Sequence, residues 1–189
     1  MTSLYMQRAL ELAESVLGST SPNPNVGCVI VRDGRIAGEG ATQPPGGPHA
    51  EVMALRQAGD AARGATAYVT LEPCSHVGRT PPCAGALIEA GVAGVHVALI
   101  DPDPHVAGSG AERLRASGIG VTIGDGDVES AKLLEAYLKH RATGLPFVIA
   151  KPSKTAVSVR LRPTSFQIFI RLDAQIWPSV CTWLTSPPG

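Results

Sequence analysis

No run of the chain approaches about 18 uninterrupted apolar residues, so no membrane-spanning helix is indicated. There is no charge surplus of either sign, because 16 Lys and Arg balance 16 Asp and Glu. A generic nucleic-acid binder carries a basic excess that is missing here. No internal repeat is present. Met1 to Leu17 lack the basic start and apolar block of a secretory signal. They read instead as an amphipathic helix containing Arg8, Glu11 and Glu14. A cytoplasmic, reducing setting is the expectation. Cysteines are few, at four: Cys28, Cys74, Cys83 and Cys181. An even count suits disulfides, but that framework belongs to short secreted chains, so metal binding or plain burial fits better here.

What is present is core material. Of 189 residues, 44% are hydrophobic, enough for one domain, or one domain with a tail. Leu10, Ala13 and Leu17 recur at helical spacing and Gly18 stops that helix. Val26 to Val31 is an apolar strand, Asp33-Gly34 a hairpin turn, and Arg35 to Gly40 the returning strand. His49 to Ala58 reads as a helix ended by Gly59, and Ala65 to Leu71 as a third strand. A loop from Glu72 to Pro82 leads into a helix ended by Gly91, followed by a strand over Val95 to Ile100. A helix near Ala111 to Ala116, a strand at Val121 to Ile123 and a long helix from Val128 to about His140 complete the set. Strands alternating with helices predict an α/β fold, a three-layer α/β/α sandwich whose later strands are parallel. Ligands of such sheets sit beyond the carboxyl ends of the strands, where His49, Cys74 and Asp101 fall.

The pattern changes near Ser153. Residues 153–189 hold Trp177, Trp183, Phe166 and Phe169 but one acid, Asp173, against Lys154, Arg160, Arg162 and Arg171. Pro152, Pro163, Pro178, Pro187 and Pro188 interrupt the segment. Residues 1–151 are therefore expected to form the functional domain, and 152–189 an irregular tail.

His49-Ala-Glu51 alone is a weak motif, and so is Pro73-Cys74. Cys83 follows Pro81-Pro82 at the first turn of a helix, whose N-terminus stabilises a thiolate. Together, one His and two Cys make three soft or borderline ligands with the fourth tetrahedral position open, which is the catalytic rather than the structural zinc pattern. Glu51, two residues from His49, can lie beside the metal without binding it. Zinc lowers the pKa of a water to about 7, and a neighbouring carboxylate can carry its proton to a leaving amine. H-x-E with P-C-x-x-C is the signature of zinc nucleobase deaminases. Here the second half is longer, with Ser75 to Pro82 between the two cysteines.

Thr20-Ser-Pro-Asn-Pro-Asn-Val-Gly-Cys28, His49-Ala-Glu51 and the whole block from Gly64 through Glu72-Pro-Cys-Ser-His-Val-Gly-Arg-Thr-Pro-Pro-Cys83 carry a resemblance. The chain closely resembles the deaminase half of the bifunctional riboflavin-biosynthesis deaminase/reductase family, the RibD type. Asp101-Pro-Asp-Pro104 and Thr143-Gly-Leu-Pro-Phe147 extend the match to roughly residues 1–151. The resemblance implies a cytidine-deaminase-like fold with a mixed central sheet. It implies one zinc per chain on His49, Cys74 and Cys83, with Glu51 as proton shuttle. It implies hydrolysis of the ring amino group of 2,5-diamino-6-(ribosylamino)-4(3H)-pyrimidinone 5′-phosphate. Asn23, His76, Arg79, Asp101 and Asp103 fall where the family lines its substrate pocket, and the Arg79 guanidinium suits phosphate geometry. The expected partner is that phosphorylated pyrimidine, with no nucleic acid and no membrane; a homo-oligomer is left open.

The chain departs from the family at three places. Thr42 stands where a His is usual, and Asp103 where Asn is usual. After Lys151 the family continues into an NADPH-dependent reductase, but Lys151-Pro-Ser-Lys-Thr155 does not match its opening segment. The tail is read as a truncated or aberrant remnant, so neither reductase activity nor an NADPH site is expected. The competing readings are a related zinc deaminase acting on another base or nucleoside, a catalytically inactive truncated product, and a structural zinc module. The last is disfavoured because it needs a fourth protein ligand. Cys28 reads as buried in a strand, Cys181 has no ligand partner nearby, and His96, His105 and His140 have no motif support. Gly108-Ser-Gly110 lacks the Lys-Ser/Thr of a phosphate-binding loop.

Overall fold

The computed structural model describes residues 2–75, 82–103, 107–152, 157–162 and 168–172. The chain runs α1 (Leu4–Ser15), β1 (Gly27–Arg32), β2 (Arg35–Ala41), α2 (Ala50–Ala58), a 3-10 turn (Gly59–Ala62) and β3 (Thr66–Val69). It continues through α3 (Cys83–Ala90), β4 (Gly94–Val97), α4 (Ser109–Ala116), β5 (Gly120–Ile123), α5 (Asp127–Leu133) and α6 (Glu135–Thr143). The last elements are β6 (Phe147–Pro152), β7 (Val157–Arg162) and β8 (Ile168–Leu172).

The central sheet has the order β2-β1-β3-β4-β5. β1 is antiparallel to β2 and β3, while β3, β4 and β5 run parallel, so the sheet is mixed as expected. Two antiparallel steps leave β2 parallel to β3. The carboxyl ends of β2, β3 and β4 and the amino end of β1 therefore share one edge. The β1–β2 hairpin turns through Asp33 (φ 50°) and Gly34 (φ 74°), both in the left-handed region that a two-residue primed turn demands.

Alternation along the strands builds two cores. Cys28 and Ile30 of β1, Ala67 and Val69 of β3, and Val95 and Val97 of β4 pack with Ala50, Ala54 and Ala58 of α2, Leu87 of α3 and Leu114 of α4. Val29 and Val31 face the other way, against Met6 and Ala9 of α1. The result is helix, sheet and helix in three layers. His96 lies on the second face, stacked on Tyr68 with ring centroids 4.6 Å apart.

Helix α2 sits very close to β2, and two glycines make that possible. A Cβ at Gly40 would overlap the Ala50 carbonyl oxygen and lie 2.6 Å from Ala54 N. A Cβ at Gly38 would overlap the Ala54 carbonyl and lie 2.7 Å from Ala58 N. Small residues on both surfaces bring the α2 backbone onto the sheet, which sets where its first turn, with His49 and Glu51, can be.

Some expected elements differ. α1 ends at Ser15, so Leu17 lies beyond it and is exposed; the buried stripe is Met6, Ala9 and Ala13. The long C-terminal helix breaks at Leu134 (φ −97°, ψ 8°), the residue that turns into the core at 1% exposure. The segment expected to be irregular contains β7 and β8, which pair with β6 in a separate three-stranded antiparallel sheet, and the expected boundary at Lys151 falls inside β6. The alternation of Val157, Val159 and Leu161 with Ser158, Arg160 and Arg162 is a period-two strand signal, and Pro163 falls outside it.

The glycine packing yields two opposite expectations. Gly40→Ala overpacks α2 against β2 and lowers stability by about 1–3 kcal/mol. Gly85→Ala in α3, where the nearest atom to a new Cβ is Arg113 Nη2 at 3.6 Å, raises stability by about 0.5–1 kcal/mol through helix propensity. Chemical denaturation of both variants reads the signs directly.

Candidate metal centre

Four segments converge at the common sheet edge. The Asn23–Val26 approach to β1, the loop after β2 ending at His49, the loop after β3 carrying Glu72 to Cys74, and Asp101 to Asp103 after β4 line one cavity of about 150 Å³. Tyr137 and Arg141 of α6 complete its wall.

His49 is the residue before α2, extended at φ −75° and ψ 166°, and its carbonyl accepts the Met53 N–H at 3.2 Å. Its Nδ1 lies 3.7 Å from Cys74 Sγ and 3.2 Å from Cys83 Sγ. Cys83 opens α3 directly after Pro82, and its N–H donates to Cys74 Sγ at 3.3 Å. The three ligand atoms lie within 4.8 Å of one another, a separation that one ion can span. One nitrogen and two sulfurs at that spacing match zinc, whose bonds to them run about 2.0–2.3 Å. The Cys74 thiol is held well below its usual range by the Cys83 side chain, with His49 and the Cys83 N–H adding to the effect. The Cys83 thiol is pushed up by sharing that hydrogen bond and by burial. Without metal, Cys74 is thus the sulfur favoured to carry a thiolate. The hydrogen bond to that sulfur also raises the His49 pKa.

Glu51 is in the first turn of α2 and only 3% exposed. Burial, then the Cys74 charge, push its pKa up to about 7. It lines the cavity wall alongside His49 and Cys74. Such a carboxyl exchanges a proton readily at neutral pH.

Glu72 organises the surrounding loops. Its buried carboxylate accepts N–H groups from Asp101 (3.2 Å), Gly108 (2.9 Å), Gly110 (2.9 Å) and Ala111 (3.0 Å). It thereby caps α4 and ties the end of β3 to the end of β4. Asp101 accepts the Asp103 N–H at 2.9 Å and the Tyr137 hydroxyl at 2.9 Å. Burial raises the Asp101 pKa.

Of the residues expected from sequence, His49, Glu51, Cys74, Asn23, Asp101 and Asp103 line this cavity, and Cys83 joins His49 and Cys74 in the ligand cluster. His76 and Arg79 lie outside the described residues, as do His105 and Cys181. Cys28 is fully buried in the core and apart from the cluster, as expected. Asp103 pairs with Arg141, Oδ2 to Nη1 at 3.1 Å, so the acid is partly neutralised. Thr42 is buried and its hydroxyl accepts the Val26 N–H at 3.1 Å, so it serves the β1 backbone. Glu72, Tyr137 and Arg141 were not anticipated as site residues. For Glu72 the position at the end of a β-strand was a usable signal; the other two follow from how α6 packs.

Known proteins agree with this geometry. The family described as "Cytidine and deoxycytidylate deaminase zinc-binding region" matches residues 1–99, more than half of the chain. The protein belongs to this zinc deaminase family. Within the family it lies with the riboflavin-biosynthesis deaminases. It is 58% identical over 147 residues to "Riboflavin biosynthesis protein RibD" of Escherichia coli (strain K12), covering 78% of this chain and 40% of that protein. It is 49% identical over 142 residues to "Diaminohydroxyphosphoribosylamino-pyrimidine deaminase" of Buchnera aphidicola subsp. Schizaphis graminum, covering 75% of this chain and 97% of that protein. The solved structure of Acinetobacter baumannii RibD superposes with a TM-score of 0.74 at 58% identity, covering 76% of this chain and 40% of that one. The chain thus spans well under half the length of its RibD relatives and nearly all of a deaminase-sized one. The His49, Cys74 and Cys83 cluster is the zinc-binding site typical of this deaminase family. No helix among the described residues is long and apolar enough to cross a membrane.

Two measurements check the centre. Elemental analysis of purified protein is expected to give one zinc per chain, lost in Cys83→Ala and retained in Cys28→Ala. The second concerns pH. A carboxyl raised from 4.5 to about 7 binds its proton more tightly in the folded state, so metal-free stability falls as pH rises through that window. Glu51→Gln removes that loss. The metal-free variant is expected to gain up to ~3 kcal/mol on wild type between pH 4.5 and 7, read from denaturation midpoints.

Proposed function

We propose that this chain hydrolyses the ring amino group of 2,5-diamino-6-(ribosylamino)-4(3H)-pyrimidinone 5′-phosphate, giving ammonia and 5-amino-6-(ribosylamino)uracil 5′-phosphate. The observation that carries this reading is the meeting of His49, Cys74 and Cys83 beside the buried carboxyl of Glu51, in a chain that covers 97% of a pyrimidine-deaminase relative.

In this reading His49, Cys74 and Cys83 hold zinc, which when bound activates water for attack near neutral pH. Glu51 accepts a proton from the attacking water on its carboxylate oxygen. As the ring carbon–nitrogen bond breaks, the same oxygen returns the proton to the departing nitrogen, so ammonia leaves as a neutral molecule. In the metal-free site burial favours the protonated carboxyl, which suits Glu51 both to take up and to return a proton. Asn23, Asp101 and Asp103 contact the substrate from the cavity wall, and the family resemblance assigns His76 and Arg79 to substrate contact as well.

Residues 1–151 make up the deaminase domain in this proposal, with residues 152–189 an appendage. The pairing of β6, β7 and β8 in a sheet of their own supports an appendage, with the break before Phe147 rather than at Lys151. We further propose a cytoplasmic protein with one zinc, no NADPH site and no nucleic-acid partner.

The deciding experiment incubates zinc-loaded protein with the phosphorylated pyrimidine and follows ammonia. One ammonia per uracil product is expected; zinc-replete protein that releases none overturns the proposal. Glu51→Gln keeps its zinc and loses about 10²–10⁴-fold in kcat, the usual worth of a positioned general acid–base. Near-wild-type turnover in that variant would sink the role given to Glu51.

A further inference from the structure

Among its described lining residues the cavity is rich in acids and poor in cations. Glu51, Glu72, Asp101 and Asp103 line it, and the single Lys or Arg among its described lining residues is Arg141. A phosphate dianion brought to such a wall meets repulsion unless a cation answers it. Thr42 contributes no charge, and its hydroxyl is bonded to the β1 backbone.

Arg141 is held ready for that role. It lies one helical turn after Tyr137 on α6, so both side chains reach the same cavity. The guanidinium carbon sits 5.3 Å from the centre of the Tyr137 ring. Nη1 is 3.1 Å from Asp103 Oδ2. The Tyr137 hydroxyl and the Asp103 N–H both donate to Asp101, at 2.9 Å each. Asp101, Tyr137, Arg141 and Asp103 thus form a closed ring that fixes the guanidinium at the cavity wall. The Arg141 side chain is 41% exposed, open to an incoming ligand. A guanidinium offers five N–H donors, more than one carboxylate takes up, and its fork matches two phosphate oxygens.

We infer that Arg141 is a specificity-determining residue: it adds a second guanidinium, besides Arg79, for the phosphate monoester of the substrate, while Asp103 and Tyr137 hold it in place. The inference rests on the proposed deaminase reading and adds a determinant on α6 to it. Arg141 does not touch the reacting carbon, so it discriminates phosphorylated from unphosphorylated substrate without setting the chemical rate.

The test uses zinc-loaded full-length protein, Arg141→Met and Arg141→Lys. With the phosphorylated pyrimidine, Arg141→Met is expected to raise KM about 10- to 100-fold at unchanged kcat, the usual worth of a charged hydrogen-bonded contact. Its kcat/KM for the dephosphorylated nucleoside is expected to fall far less than that for the phosphorylated substrate, and Arg141→Lys recovers part of the loss. An unchanged KM, or an equal loss on both substrates, overturns the assignment and leaves Arg141 as a structural tie. Direct titration with ribose 5-phosphate against ribose separates this from the function itself. If wild type deaminates nothing yet binds ribose 5-phosphate in preference to ribose, and Arg141→Met weakens the preference about 10-fold or more, the deaminase reading falls and the phosphate assignment stands. If wild type shows no such preference, the assignment falls whatever the activity.

Discussion

The buried carboxylate of Glu72 is the interaction on which the site depends. It leaves the end of β3 and meets four N–H groups, three at the start of α4 and one at Asp101 after β4. A buried charge is costly unless fully hydrogen-bonded, and the α4 N-terminus supplies both the donors and a favourable dipole. The requirement works in both directions, since those N–H groups also need an acceptor. Gly110 belongs to the same arrangement. A Cβ there would overlap the Pro73 carbonyl and come within 3.1 Å of Glu72 Oε1. With Glu72 anchored, Pro73 and Cys74 follow at a set distance, and Asp101 is held facing the same cavity.

The second constraint is the closeness of α2 to β2. Gly38 and Gly40 on the strand and Ala50, Ala54 and Ala58 on the helix allow near contact of backbones. The first turn of α2 then lies against the sheet edge, which buries Glu51 and aims His49 at the two sulfurs. The same depth that makes Glu51 a poor anion makes it a competent proton carrier. Asp101 pays a similar desolvation cost, offset by the Tyr137 hydroxyl and the Asp103 N–H.

The division between what could and could not be read in advance follows the range of the interactions. His49, Glu51, Cys74 and Cys83 were legible because a zinc site needs particular atoms at short sequence spacings, and each residue sits beside a helix start or strand end marked by proline or glycine. The Asp33-Gly34 turn was legible because its backbone angles admit few residue types. Tyr137 and Arg141 were not, because they lie 36 and 38 positions after the loop residues they contact, Asp101 and Asp103. The break at Leu134 is not legible in sequence because helix propensity continues through it; in the structure the chain turns there with Leu134 in the core. Strands β7 and β8 lie between prolines that argue for an irregular segment, although the alternation of β7 is present in the sequence.

From the sequence alone came the layer order, the mixed sheet, the hairpin, the ligand set and the acid beside it. These depend on period, turn geometry and donor chemistry, all local properties of the chain. Only the tertiary structure decided that β2 and β3 run the same way, so that their carboxyl ends share one edge. Only it decided that Glu72 caps a helix 37 residues further on, that Cys83 donates its N–H to Cys74, and that Arg141 meets Asp103 at the cavity wall. Those contacts join segments far apart in sequence. Each forms because a buried polar group must find its partner wherever the packed core brings one within reach.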